Sequence, residues 1–184
     1  MDARPVSRRR LLAAVVILAS CIGCDQATKA IATRELLDAE PRTYCGGAVR
    51  LQYALNPGGF LSLGHNLPKP VRSGIFTVFG VGLMALLAGY LFAKRNASPA
   101  VFGATALMLA GGIGNLIDRM FRDGLVTDFM SVGIGPLRTG IFNVADVAIM
   151  AGAGGAILLS LRGDAGNDVE PASERSSSVA ADRK

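Results

Sequence analysis

Charge is scarce in this sequence. Acidic and basic residues fill 18% of its 184 positions, where a soluble domain carries about 25%, and those present gather at the two ends and in two loops. The deficit excludes an ordinary water-soluble domain, because 51% hydrophobic residues and a mean hydropathy of +0.40 must then be packed into long runs. Cysteine is scarce as well. Of the three, Cys21 and Cys24 share one apolar run and Cys45 has no evident partner, so a disulfide framework is excluded and the thiols read as small apolar core residues. Tryptophan is absent and histidine occurs once. Also missing are the repeated alternating segments of about 10 residues that would signal a membrane β-barrel. The net charge of +5 and pI near 9.5 suggest nucleic acid at first sight, but the basic residues are not interleaved with aromatics on one face, so no nucleic-acid partner is expected.

What is present is four apolar runs, at about residues 11–31, 71–93, 100–117 and 141–161, each near the roughly 20 residues that cross a bilayer as a helix. The expected fold is an all-α membrane protein, a four-transmembrane-helix bundle. Arg8, Arg9 and Arg10 precede the first run, Lys94 and Arg95 sit between the second and third, and Arg162 follows the fourth. The positive-inside rule makes these positions cytoplasmic. Both termini are then cytoplasmic, and residues 32–70 and 118–140 lie outside, although Arg34, Arg42, Arg50, Arg72, Arg119, Arg122 and Arg138 fall on that side too. The N-terminal "RRRLLAAVVILASC" is also similar to a lipoprotein signal sequence cleaved before Cys21. The polar "DQATK" that follows, and the three further runs, favour an uncleaved first helix.

Residues 1–10 form a basic tail, residues 11–161 the membrane domain, and residues 162–184, polar and Ser-rich, a disordered cytoplasmic tail. "AVRLQYAL" alternates like a short strand and "NPGG" is a turn, so a small extracytoplasmic β-sheet, a cradle, is expected between the first two spans. The third and fourth spans are rich in Gly and Ala, which permit close helix contact.

Four acids fall on one side of this topology. Asp25 ends the first span, Asp118 the third, Asp128 lies in the loop that follows, and Asp146 lies in the first turns of the fourth, with Asn143 one helical turn before it. Charged groups at membrane depth face an interior or a watery cavity and mark function. Asp25 can pair with Lys29 at i,i+4, and Asp118 with Arg119 or Arg122. Asp146 has no such cation on its own span. A second carboxylate sharing one proton with it would meet the need, as in aspartic proteases. Spacing alone does not choose between Asp118 and Asp128 as that partner. A small proton-linked transporter is the alternative, but transport favours inverted repeats or acids at the midplane, and no repeat is visible.

"DQATK" (25–29), "NPGGFLSLG" (56–64), "GGIGNLIDR" (111–119), "VTDF" (126–129) and "FNVAD" (142–146) occur in an order that resembles the lipoprotein signal peptidase (signal peptidase II) family over residues 11–161. The resemblance implies an aspartic endopeptidase of the bacterial inner membrane that cleaves diacylglyceryl-modified prolipoproteins before the lipidated cysteine. It implies Asp128 and Asp146 as the catalytic pair, with Asn115, Arg119 and Asn143 lining the site and Asp118 supporting them. It also implies Asp25 and Lys29 in the wall and Asn56 and Gly58 in the cradle that holds the substrate backbone. No metal or organic cofactor is implied. The partners are prolipoprotein substrates and the phospholipid bilayer, and a monomer is expected. One departure is that "NPGGFL" puts Phe60 where the family commonly has alanine, and Leu61 where it has an aromatic.

Overall fold

The computed structural model describes residues 7–58, 67–94 and 97–167. Phe60 and Leu61, the two departures noted above, lie outside them. Among the described residues are four long helices, α1 (Arg8–Leu36), α2 (Lys69–Ala93), α3 (Pro99–Phe121) and α4 (Val144–Asn167), with the strands β1 (Arg42–Tyr44) and β2 (Val49–Asn56) between α1 and α2 and β3 (Val126–Ile134) and β4 (Leu137–Arg138) between α3 and α4. All four helices are long and apolar enough to cross a membrane.

Local chemistry sets where the helices start. Ser7 accepts from the Arg10 amide and Ser98 from the Val101 amide, each a side-chain N-cap, and Pro99 occupies the first turn of α3, where a missing amide hydrogen costs nothing. At the far end of α3, Asp123 and Gly124 take positive φ values of 55° and 82°, which turns the chain back into β3. Asp123 is an exposed turn residue.

The α3 helix is the hub. Of its most apolar window 56% is buried, against 11%, 6% and 22% for α1, α2 and α4, which leave large side chains such as Val78, Phe79 and Leu86 on the outside. Such faces suit lipid, which solvates apolar side chains without driving helices together. Helix contact is instead made by small residues. A methyl on Gly111 would strike the Ala145 carbonyl, one on Gly114 would lie 2.7 Å from Asp25 Oδ2, and one on Gly152 would reach the Ala104 carbonyl, so α3 and α4 touch backbone to backbone. At the other end of the bundle, Ala14, Leu91, Phe102, Ala106 and Leu109 form an apolar cluster.

The strands form one antiparallel sheet in the order β1-β2-β3-β4, with Ala54 opposite Asp128 and a register shift between Leu51 and Ala54. This sheet exceeds the expectation. Residues 118–140, read above as the end of a span and a loop, contain the nine-residue strand β3 and its hairpin partner β4. The alternating pattern there is blurred because Val126, Thr127 and Asp128 are all buried. Three further expectations change. Asp25 does not end the first helix, since α1 continues unbroken to Leu36. The fourth helix runs past residue 161 to Asn167, and 168–184 lie outside the described residues. Cys24 and Cys45 are exposed rather than core residues, Cys21 is intermediate, and all three are free thiols.

Candidate active site

Helix α4 begins under the sheet, and its first turn is held by three side chains. Asn143 accepts from the Asp146 amide (3.0 Å), while Asp146 Oδ2 accepts from the Asn143 amide (3.2 Å), a reciprocal capping box with aspartate in the third helical position. Asp25 reaches across from α1 to accept from the Ala145 amide (2.9 Å). The free amides of a helix start are thereby satisfied inside the protein. Asn143 is therefore the cap of α4 and not a residue one turn back along it.

The Asn143 side chain also points the other way. Its Nδ2 donates to Asp128 Oδ1 (2.6 Å), to Asn115 Oδ1 (3.1 Å) and to the Thr127 carbonyl (3.3 Å). Asn115 in turn donates to Asp146 Oδ1 (2.9 Å), and Asn56 donates to Asp128 Oδ2 (2.9 Å). One asparagine thus joins the two carboxylates, Asp146 through its backbone and Asp128 through its amide, and each acid has a second amide donor of its own. Asp128 is 2% exposed and Asp146 9%. Burial, with the Asp146 charge adding to it, pushes the Asp128 carboxyl up to about 6, while the bonds from Asn56 and Asn143 pull it down. Asp128, from strand β3, is thus joined to Asp146 through Asn143.

Asp118 does a different job. It accepts from the Thr127 amide (2.9 Å), which fastens β3 to α3 next to Asp128, and it lies 3.2 Å from Lys29 Nζ. Its neighbour Arg119 turns away from it to donate to the Gly58 carbonyl (2.9 Å), while Gly58 donates its amide to Asn56 Oδ1 (2.9 Å). Arg119 also lies over the Phe76 ring, 5.9 Å from its centre. Lys29, 0% exposed, contacts Asp25 Oδ2 (2.8 Å) and donates to Asn115 Oδ1 (3.0 Å). Asp25 and Lys29 are therefore buried supports behind the site and do not form a wall open to substrate. All ten residues picked from the sequence come together at this end of the bundle.

Two further residues belong to the network. Gln26 donates to Asp25 Oδ2, the Gly114 carbonyl and Asp118 Oδ1, and Thr127 supplies both its amide and its carbonyl. Gln26 sits inside the quoted "DQATK", where a polar side chain within an apolar run was signal enough. The part played by Thr127 is made by backbone atoms, which leave no mark in sequence. Beside the acids a cavity of about 360 Å³ opens between α2, α3 and α4, lined by Asn115, Arg119 and Asp146 at one end and by Phe76, Met84 and Met150 among its apolar residues. No group of three or more His, Cys, Asp or Glu among the described residues could hold a metal ion.

Fold and site define a class, a polytopic membrane protein with a buried carboxylate pair joined through an asparagine at one end of its helices. Comparison with known proteins makes this particular. The family model described as Signal peptidase (SPase) II matches residues 17–162. The lipoprotein signal peptidase of Leifsonia xyli subsp. xyli is 35% identical, covering 100% of this chain and 88% of that one. Those of Desulforapulum autotrophicum (36%; 83% of this chain, 90% of that one) and Mycobacterium avium (31%; 94% and 88%) are similar as well. A solved structure described as a bacterial membrane enzyme studied by the in meso method superposes with a TM-score of 0.72 at 24% identity, covering 86% of this chain and 93% of the other, and supports the fold. The chain belongs to the signal peptidase II family and is a membrane protease. The proton-linked transporter finds no support in these relatives.

Proposed function

We propose that this signal peptidase removes the signal peptide of a diacylglyceryl-modified prolipoprotein, with Asp128 and Asp146 as its catalytic pair. The observation that carries the assignment is Asn143, whose amide and side chain bind one carboxylate each. Two close acids in a site this dry do not both ionise readily, so the pair holds one proton between them. The ionised carboxylate takes a proton from water as the water oxygen attacks the scissile carbonyl, and the protonated one donates to the carbonyl oxygen. Collapse of the tetrahedral intermediate breaks the C–N bond, and a proton passes to the departing nitrogen, now the free amine of the lipidated cysteine. Asn115 and Asn143 keep the carboxylates in place without adding charge. Arg119, anchored on Gly58, presents a cation at the cavity mouth suited to the substrate backbone.

Residues 11–161 act as one peptidase domain, with residues 1–10 and 162–184 as tails on the cytoplasmic side. The basic residues at 8–10, 94–95 and 162 support, by the positive-inside rule, a topology with the sheet and acids on the outer side, where water is available and a substrate helix arrives sideways through lipid. The reading needs no second copy of the chain, and the protein is proposed to work as a monomer.

The test is a gel-shift assay in detergent with a diacylglyceryl-modified prolipoprotein. Wild type cleaves before the lipidated cysteine, and Asp128→Asn and Asp146→Asn do not, although both remain folded. Either variant retaining wild-type cleavage would remove its acid from the mechanism.

A further inference from the structure

A second cavity, of about 430 Å³, lies between the same three helices near their opposite ends, with Leu87, Tyr90, Thr105, Met108, Leu159 and Ser160 in its lining. Its lining follows on from that of the cavity beside the acids along each helix. On α4 the lining positions of the two are 146, 149, 150, 153 and then 156, 159, 160, steps of three and one that keep to one helical face. On α2 they run 76, 80, 84, then 87, 90, and on α3 they include 119, 116, 112, then 108, 105, 101. One groove, floored by α3 and flanked by α2 and α4, therefore runs down the bundle. Asp146 and Ser160 are 14 residues apart on α4, a helical length of about 21 Å at roughly 1.5 Å per residue. Among the described residues, the charged ones in its lining are Arg119 and Asp146, at the catalytic end.

We propose that the lower cavity binds the N-terminal half of the substrate's apolar signal helix and thereby measures its length. This rests on the signal-peptidase reading above and extends it. The apolar core of a signal sequence is about 7–15 residues. As a helix ending at the acids, the shortest would span about 10 Å and reach only Ala153, whereas about 14 residues would reach Ser160. The lining suits this occupant. Three of the six methionines, Met84, Met108 and Met150, line the groove, and their unbranched, polarisable side chains adapt to apolar surfaces of varied shape. Signal cores share hydrophobicity rather than sequence, so an adaptable lining is what they require.

The test uses the full-length enzyme in detergent and diacylglyceryl-modified prolipoproteins whose apolar cores are trimmed from about 14 to about 7 residues. Wild type should cleave the long-core substrate with a kcat/KM about tenfold above the short-core one, mostly through KM. Ala156→Trp, which fills the lower cavity, should reduce that ratio to within twofold, while Leu158→Trp, on an exposed face (59%), should leave it intact. A photoreactive residue at position 159 should crosslink to the signal helix of the long-core substrate and not to that of the short-core one. A wild-type ratio near one, a ratio untouched by Ala156→Trp, or crosslinks to lipid alone would overturn the proposal. Failure of the wild type to cleave any of these substrates would instead sink the peptidase reading beneath it.

Discussion

Lys29→Met removes an ammonium group that no solvent reaches. In wild type Lys29 Nζ lies 2.8 Å from Asp25, 3.2 Å from Asp118 and 3.0 Å from Asn115 Oδ1, and the two acids are each 1% exposed. Methionine matches the length of the stem but leaves Asp25 with the amides of Ala145 and Gln26, and Asp118 with those of Thr127 and Gln26 and the half-buried Arg122 guanidinium 3.8 Å away. Breaking a buried ion pair from one side costs about 3–5 kcal/mol, because the remaining charge stays buried. That is a shift of roughly 100- to several-thousand-fold in the folded population. Thermal and SDS-titration unfolding of purified protein in detergent would read it. The double variant Lys29→Met/Asp118→Asn should recover at least about 1 kcal/mol relative to additivity, since it deletes one orphaned charge. Activity assayed below the unfolding temperature should fall through kcat, because Asn115 loses the cation that fixes its carbonyl and so aims its amide at Asp146. Stability within about 0.5 kcal/mol of wild type, the scatter of ordinary surface changes, would refute this account of the cluster.

The remaining predictions concern the joints of the site. Asn143→Ala deletes the α4 cap and the bridge to Asp128, and should cost about 1 kcal/mol of stability and on the order of 100-fold in kcat, read by unfolding and gel-shift rates. Gly111→Ala drives a methyl into the Ala145 carbonyl and should impair both folding and cleavage, whereas Gly103→Ala, with nothing within 4 Å, should be neutral or raise stability by up to about 1 kcal/mol; equal effects would show that α3 and α4 tolerate separation. The pair needs one proton, and Asp128 loses its own as pH rises through about 6, so kcat/KM should decline on the alkaline side of that value. Asn56→Ala removes a bond that holds the Asp128 pKa down and should move this limb to higher pH; a shift to lower pH would contradict the assignment.

The spans were legible because a bilayer demands about 20 apolar residues, and that demand leaves a long record. The acids were legible for the same reason inverted, since a carboxylate such as Asp146 in an apolar run stands out. The sheet was only half visible. β2 alternates and was read, but β3 buries Val126, Thr127 and Asp128 in succession against α3, the network and β2, so no alternation marks it. The partner of Asp146 could not be chosen from spacing because Asp118 and Asp128 both fall at the same end of the topology, between the third and fourth apolar runs. The structure separates them by what they hold, Asp118 a backbone amide and a lysine, Asp128 two asparagine amides. Asn143 was read as a helical residue because the fourth apolar run begins before it, while the helix itself begins after it.

The pairing of Asp25 with Lys29 has a bearing on how the chain is made. Both residues belong to α1, four positions apart on one face, so their charges meet as soon as that helix winds, before α3 and α4 have been made. Over residues 11–33, where its charged residues are Asp25 and Lys29, the first helix can therefore enter the translocon's lateral gate with no net charge. Only later, when α3 and α4 arrive, do Asp118, Asn115 and the Ala145 amide complete the coordination of the two groups. Asp25→Ala alone should lower the insertion efficiency of an isolated α1 reporter by stripping Lys29 of its neutralising neighbour, and Asp25→Ala/Lys29→Ala should restore it. The innermost part of the enzyme is, on this view, begun by its first helix during synthesis.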